Sequence, residues 1–428
     1  MATLSNRMYV EKKTLAKWFV YSVFVMQFFF ALCVELLRLP GVIRYLADAA
    51  LICVVILALS KQSVSFDRRL LPFLLVVGIF LTYVFVSYLF LYQSAAYLLW
   101  GTRNNFRFYV AFFAFAVYFT EDDAKRCLKI LDGLFWINAL VCIVQAHMGF
   151  QQDYLGGIFG VTKGCNGYLV VFLSVTISKS VLSYMNGEEG MISCFAKCTV
   201  ALMISAVGEL KVFFIMFAVL LILAMLLTSF SFRKVLVIGV GAILITVMAA
   251  LLGSMFHYFD GFLSMENLSK TLLMENYASE TDIGRFNAIE VISRRFLPET
   301  ADQLFGMGMG NCDVSSIAAF NTPFYDIYVD THYSIFSYAH MFLETGFVGL
   351  TLFILFFVMC FIVSLKQMKK KNSNRFFCQM GVIISALCLI LMVYNSSLRT
   401  EAGYMIYFVL ALPFIRPRES LKEEDSGT

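Results

Sequence analysis

Long apolar runs follow one another along this chain, separated by short polar segments and by one long polar interruption. The longest runs reach or exceed the ~20 residues that a helix needs to cross a bilayer, and they do not alternate with a period of two. The pattern therefore predicts an all-α, polytopic integral membrane protein with about 12 transmembrane helices. Their approximate ranges are 18–37, 42–60, 70–92, 106–119, 128–148, 167–184, 194–208, 211–229, 235–256, 339–364, 377–394 and 402–415.

The polar interruption lies between the ninth and tenth runs and covers residues 257–338. Ordinary connections have about 2–8 residues, so a segment of this length is expected to have its own structure and to carry function. The expected organisation is a bundle of nine helices over 1–256, one large extracytoplasmic loop over 257–338, three helices over 339–415 and a cytoplasmic tail over 416–428.

Composition supports a membrane protein, since 60% of the residues are hydrophobic, 14% are charged and the mean hydropathy is +0.79. Short loops rich in Lys and Arg stay in the cytoplasm. This rule predicts that both termini are cytoplasmic and that the large loop faces outward, away from ATP and nucleotide sugars. The basic residues on which the orientation depends are Lys61, Arg68, Arg69, Lys125, Arg126, Lys129, Arg233, Lys234, Lys366, Lys369, Lys370, Lys371, Arg375, Arg416, Arg418 and Lys422.

A helical pattern occupies residues 283–297 within the large loop. Glu290 and Arg294 are four residues apart, so Arg294 has a ready partner on the same face. Arg285 and Arg295 project within roughly 80° of each other at ~100° per residue. Two arginines at a membrane surface suit a diphosphate, because guanidinium groups bind such oxygens bidentately; lipid headgroups attract arginine as well.

Three glycines stand at alternate positions in the sequence FGMGMGN, at Gly306, Gly308 and Gly310. Glycine permits left-handed backbone, and successive amides in such a turn can bind an anion. The alternative is a flexible turn. No Gly-Lys-Ser/Thr follows, so the segment is not a Walker loop.

Two of the four histidines lie near the end of the large loop, at His332 and His340. Because His340 and Glu344 are four residues apart, they share a helix face, and a histidine oriented by a carboxylate can act as a general base. The same pair could bind a metal, but no third ligand stands at a metal-binding spacing, so no metal is predicted.

Three more basic residues lie near the predicted outer surface. Arg103 flanks the fourth run, Lys211 interrupts an apolar stretch and Arg399 lies in the last outer loop. Lys211 is either a functional intramembrane charge or part of a tight outer turn between two helices. Arg44 and Asp48, four residues apart, are predicted to form an ion pair.

Three segments of this chain together resemble a known family. They are GRFNAIEVISRRF, LFGMGMGN and THYSIFSYAHMFLETGFVG. They resemble the Wzy-type O-antigen and capsular polysaccharide polymerases and the wider O-antigen ligase superfamily. Ten residues separate Arg295 from Gly306, which fits the RX10G pattern of that family, and the earlier segment GGIFGVTKGCNGYLV is similar to one of its outer loops.

The resemblance implies a glycosyltransferase of the bacterial plasma membrane that uses no cofactor. It joins glycans carried on polyprenyl diphosphate at the outer face of the membrane, and the acceptor is a hydroxyl of a second glycan. Expected partners are the lipid-linked donor and acceptor, the bilayer, a chain-length regulator and a flippase, with no nucleic acid. The residues assigned to this chemistry are Arg285, Arg295, Arg103, Lys211 and Arg399 for the diphosphate, and His332 or His340 with Glu344 for the proton.

Two alternatives remain at this level. A ligase of the same superfamily would move a finished glycan to another acceptor, and a transporter would move the glycolipid without reaction. Carriers place their substrate between internal repeats near the midplane. No repeat is evident here, and the long outer loop also favours an enzyme.

Overall fold

A computed structural model describes residues 2–60, 67–91, 93–150, 152–229, 232–255, 283–315, 317 and 320–415. Within these residues the regular structure is helical, joined by short turns. The helices are α1 Ala2–Ala31, α2 Leu46–Leu59, α3 Leu71–Leu91, α4 Ala95–Tyr118, α5 Glu121–His147, α6 Asn166–Asn186, α7 Met191–Val207, α8 Lys211–Leu227, α9 Phe232–Met255, α10 Ala288–Arg295, α11 Thr300–Phe305, α12 Pro323–Tyr328, α13 Ser337–Met368, α14 Arg375–Tyr394 and α15 Gly403–Ala411.

Several of these helices have the length and composition of membrane spans. Among the described residues, seven qualify, namely α1, α2, α3, α5, α6, α13 and α14. Helices α7, α8 and α15 are apolar but shorter. Leu59, Leu89 and Phe90 are each more than two-thirds exposed, as lipid-facing side chains of α2 and α3 would be. The predicted all-α membrane class is therefore confirmed.

Aromatic side chains hold the centre of the bundle together. Every residue of α15 is buried, and its Tyr407 packs against Phe108 of α4 and Phe356 of α13 with ring centroids 5.7 and 5.5 Å apart. Helices in lipid gain little from the hydrophobic effect, so close packing of this kind carries their association. Each such ring pair contributes about 0.5–1.5 kcal/mol.

The turns between helices gather at two ends of the bundle. One end, called the loop end below, carries residues 152–165, 208–210 and 283–336. There Gln152 Nε2 donates to Glu209 Oε1 at 2.6 Å, and the amide of Ser337 donates to the Asn395 carbonyl at 3.1 Å. At the opposite end Asn186 Nδ2 donates to Gln379 Oε1 at 3.0 Å. Gln93 Nε2, in the turn between α3 and α4, donates to the Met309 carbonyl at 3.0 Å, so the described part of the large loop packs on a turn from the first half of the chain.

Two local predictions are wrong. The helix expected over 283–297 begins only at Ala288 and ends at Arg295. Before it, the amide of Ile283 donates to the Thr331 carbonyl at 3.0 Å, so tertiary contacts hold that segment out of the helix. The predicted Arg44–Asp48 ion pair does not form, because Asp48 pairs with Arg103 of α4 instead. The first part of the predicted loop, 257–282, and the tail 416–428 lie outside the described residues.

Candidate functional site

A cavity of about 560 Å³ opens at the loop end, and it brings together residues far apart in the sequence. Lys211, Arg285 and His332 all line it. We call this space the cationic cavity. Lys211 and Arg285 are close enough for their like charges to interact. Three of the eight residues predicted for diphosphate binding and proton transfer therefore lie around one space.

Each of these three side chains is positioned by a short turn. Lys211 begins α8 directly after a turn in which Glu209 has φ 50°, so this segment is a tight turn between α7 and α8. Arg285 lies over the ring of Tyr394 at 4.3 Å and donates from Nε to the Tyr394 carbonyl at 3.4 Å. His332 has φ 60°, a left-handed conformation between two 3-10 turns.

The rest of the cavity wall is rich in amides and hydroxyls. Asn166 Nδ2 donates to Asp153 Oδ1 at 2.9 Å, which fixes one carboxylate in the wall. Charged groups comprise three basic and two acidic side chains, so the wall suits a ligand that carries both anionic oxygens and hydroxyls. The other polar lining residues are Gln152, Lys163, Tyr168, Glu209, Asn395, Ser396, Ser397 and Thr400.

A buried ion pair between Arg107 and Glu401 contacts the cavity wall through Tyr168, which lines the cavity. The hydroxyl of Tyr168 donates to Glu401 Oε2 at 2.6 Å, and Arg107 lies 3.5 Å from Glu401 Oε1. Burial alone would raise the pKa of the Glu401 carboxyl, but the Arg107 charge and the Tyr168 hydrogen bond outweigh it and lower this pKa to about 2. Glu401 is therefore ionised wherever the protein is folded near neutral pH.

A second group of polar residues, also at the loop end, is closed to solvent. His340 Nε2 lies 3.4 Å from Asp313 Oδ1 and 3.3 Å from Glu344 Oε1, and the three residues are 6% exposed or less. We call Asp313, His340 and Glu344 the buried cluster. The predicted His340–Glu344 proximity is confirmed, but neither residue lines the cationic cavity.

Asp313 is the member of the buried cluster that the sequence did not reveal. It has no periodic spacing to the other two, and only its place directly after the glycine turn could have drawn attention to it. Arg399 Nη2 donates to Asp313 Oδ1 at 3.0 Å, and Asn104 Nδ2 donates to Oδ2 at 2.9 Å. Burial opposes ionisation of Asp313, but the Arg399 charge outweighs it and holds the pKa below its usual range.

The glycine turn binds an anion that belongs to the chain itself. The amides of Gly310 and Cys312 donate to Glu344 Oε1 at 2.9 and 3.2 Å. At Gly310 φ is +90°, and a Cβ there would overlap the Tyr97 carbonyl oxygen, so only glycine fits. The turn is thus an amide nest of the predicted kind, and its occupant is the Glu344 carboxylate.

A break in α13 completes this arrangement. Gly346 has φ 58° and ψ −165° inside the helix, which frees carbonyls of the preceding turn. The amides of Met307 and Gly308 donate to the carbonyls of Leu343 and Glu344, each at 2.9 Å. Gly306 and Gly308 therefore serve backbone packing against α13 and do not line the cationic cavity.

The other predicted cations lie elsewhere. Arg103 pairs with Asp48 and lies over the Tyr45 ring at 4.7 Å. Arg295, with its guanidinium 5.7 Å from the Tyr328 ring centre, lines a shallow surface depression and not the cationic cavity. Arg399 is committed to Asp313 and to Asn105, whose Oδ1 accepts from Nε at 3.0 Å.

The opposite end of the bundle has a cavity of about 600 Å³ that differs in its charges. Four lysines line it, but acidic side chains of the same wall bind two of them. Lys179 and Lys197 both pair with Asp132, and Lys197 also lies 2.9 Å from Glu189. Internal ion pairs of this kind make the wall a poorer receptor for an external anion.

No model of a known protein family matches this chain, and a search of curated proteins finds no match either.

Proposed function

We propose that the protein is a membrane glycosyltransferase that polymerises glycan repeat units carried on polyprenyl diphosphate. The observation that carries this proposal is the convergence of Lys211, Arg285 and His332 on one cavity at the loop end. Two cations and an imidazole are the groups that a departing diphosphate and a hydroxyl nucleophile require. The sequence resemblance to Wzy-type polymerases points to the same chemistry.

In this proposal, the donor's diphosphate lies against Arg285 and Lys211. Developing negative charge on the leaving group is stabilised by cations that are already in place, which is the largest single contribution in many enzymes. The amides and hydroxyls around Asn166 and Ser397 would bind sugar hydroxyls. The polyprenyl tail would leave the cavity along the apolar surface of the bundle.

His332 is the general base in this scheme. A hydroxyl oxygen of the acceptor glycan attacks the anomeric carbon of the donor, and a new glycosidic C–O bond forms. The bond from that carbon to the diphosphate oxygen breaks, and the electron pair leaves with polyprenyl diphosphate. The hydroxyl proton passes to a ring nitrogen of His332. His332 is preferred as the base because it lines the cavity, whereas His340 is 1% exposed and could reach a substrate only if the structure opened.

The proposal includes a topology. The helices at the twelve predicted spans, α1 to α9 and α13 to α15, would cross a bacterial plasma membrane. Both termini would be cytoplasmic and the loop end would face outward. Lipid-linked repeat units are expected on that face after a flippase has moved them, and a chain-length regulator could act there. The lysine-rich loops at the opposite end agree with a cytoplasmic position.

Reconstitution of the purified protein with lipid-linked repeat units tests this function. A ladder of product lengths is expected from the native chain, and Arg285→Ala should remove it. A single product that requires a second acceptor would point to a ligase, and transbilayer movement without product would point to a transporter; either result would overturn the proposal. Arg294→Ala is the matched control, because Arg294 is an exposed arginine of the same segment paired with Glu290.

A further inference from the structure

Polar atoms of the buried cluster lack hydrogen-bond partners. Neither ring nitrogen of His340 forms a hydrogen bond, and Glu344 Oε2 has no partner. His340 is 1% exposed and Glu344 is fully buried. Burial of an unsatisfied polar group costs roughly 1–3 kcal/mol, and a ligand bound to these atoms would remove that cost.

The charges of the cluster point to a cation. Asp313 and Glu344 contribute two carboxylates, and Arg399 is the basic side chain that pairs with Asp313. Buried carboxylates are normally paired or bound to a metal. A bound cation would balance the carboxylate that Arg399 does not pair with.

The spacing of the donor atoms fits a metal ion better than a chain of hydrogen bonds. His340 Nε2 is 3.3–3.4 Å from one oxygen of each carboxylate but forms a hydrogen bond to neither. Ligands about 2.1 Å from a tetrahedral ion are separated by about 3.4 Å. One donor atom from each of the three residues lies within 4.8 Å of the others.

The surroundings hold the donors in place as a metal site requires. Asn104 and Arg399 donate to the two oxygens of Asp313, and the amides of Gly310 and Cys312 donate to Glu344 Oε1. Outer hydrogen bonds of this kind orient the ligands of metal ions. These amides hold Glu344 Oε1, the oxygen 3.3 Å from His340 Nε2, in place for the ion.

We propose that Asp313, His340 and Glu344 bind one divalent first-row transition-metal ion, with Zn²⁺ as the best-fitting example. A mixed set of one imidazole and two carboxylates suits Zn²⁺ and Mn²⁺. The ion ties the glycine turn and the first part of α13 together. This site is separate from the cationic cavity, and it does not depend on the proposed transferase activity.

The test uses the full chain in detergent, stripped with a chelator and titrated with Zn²⁺ alone. Calorimetry should show one ion bound per chain. Co²⁺ in place of Zn²⁺ should show the d–d absorption bands in the visible range that are typical of four-coordinate Co²⁺. Glu344→Gln and His340→Ala should weaken binding at least tenfold, whereas His147→Ala, which alters an exposed histidine of α5, should bind as the native chain does.

A thermal measurement on the native chain covers the case in which the variants fail to fold. Zn²⁺ at about a hundred times its Kd should raise the melting temperature of the stripped protein, because a ligand of the folded state stabilises it. The proposal is overturned if the stripped native chain takes up no ion, or if the variants bind Zn²⁺ as tightly as the native chain.

Discussion

The cationic cavity and the buried cluster lie at the same end of the bundle but are built in opposite ways. Lys211, Arg285 and His332 come from three separate segments and face a space of about 560 Å³. Asp313, His340 and Glu344 face one another, and the amides of Gly310 and Cys312 fix Glu344. The cavity can therefore admit an external molecule, whereas the cluster can hold only an ion.

The difference shows that residue type alone does not locate chemistry. A histidine beside a glutamate is the more familiar catalytic pattern, and in this fold it is the one closed to solvent. Arg285 and His332 carry no local pattern that pairs them, yet they share the open space. Access to a substrate, which only the fold decides, separates the two histidines.

The largest expected effect is on Arg285. Arg285→Ala should lower the rate of glycan polymerisation by about 10²–10³, because a cation at the departing diphosphate is lost. The rate is measured with lipid-linked repeat units in reconstituted vesicles. Equal loss in the control Arg294→Ala would mean that the segment, and not the cavity, responds to the substitution.

The Glu401–Arg107 pair behind the cavity wall should make stability depend on pH. The pKa of Glu401 is about 2 in the folded protein against an ordinary 4.5, so its contribution is complete above pH 4.5 and is lost as the pH falls toward 2. The shift corresponds to a free energy on the order of 3 kcal/mol.

Glu401→Gln should remove that part of the acid sensitivity. Thermal unfolding of both proteins in detergent, compared at pH 7 and at pH 3, measures it, and the gap in melting temperature should be larger at pH 7. An unchanged gap between the two pH values would show that Glu401 does not carry the effect.

The next effect distinguishes the two histidines. His332→Ala should reduce polymerisation about a hundredfold, the usual scale of a lost general base. Binding of the lipid-linked donor should change little, because the cations remain. If instead His340→Ala abolished activity in a protein that melts normally while His332→Ala did not, the base would have to be assigned to the buried cluster.

Gly310→Ala should destabilise the buried cluster by about 2 kcal/mol. An alanine there has φ +90° and would overlap the Tyr97 carbonyl, so the amide that binds Glu344 must move. Melting temperature in detergent is the measurement. Gly164→Ala is a useful control, because Gly164 also has positive φ, at +87°, but has open space around it. If both variants lowered the melting temperature equally, backbone strain alone would explain the loss at Gly310, and the overlap with Tyr97 would not be needed.

Much of the fold could be predicted from local pattern. The apolar runs predicted most of the helices, and α8 begins at Lys211 as expected, because a segment in lipid must satisfy its own backbone and a helix does so. The fourth run was predicted over 106–119, but α4 begins at Ala95. The helix before Pro298 was predicted too long, since Ile283 bonds to Thr331 and not to its own helix. Such a contact, 48 residues away along the chain, leaves no periodic signal.

The candidate site was less predictable. The sequence singled out Lys211, Arg285 and His332 as chemical types, but it could not separate them from Arg103 and Arg295. Arg103 is drawn to Asp48, a partner 55 residues earlier on another helix. Nothing in the sequence was a reason to select Asp313, because acidic residues are common in loops. Its contact with the buried His340 is visible only in the folded structure.

The sequence by itself determined that this is an all-helical membrane protein with a polar segment between apolar helices, since the bilayer dictates length, hydropathy and backbone satisfaction from local composition. Only the tertiary structure decided which charges face an open space, which neutralise one another, and that the glycine turn holds Glu344. Those outcomes depend on distances between segments far apart in the chain, and electrostatic and hydrogen-bond energies fall off steeply with such distances.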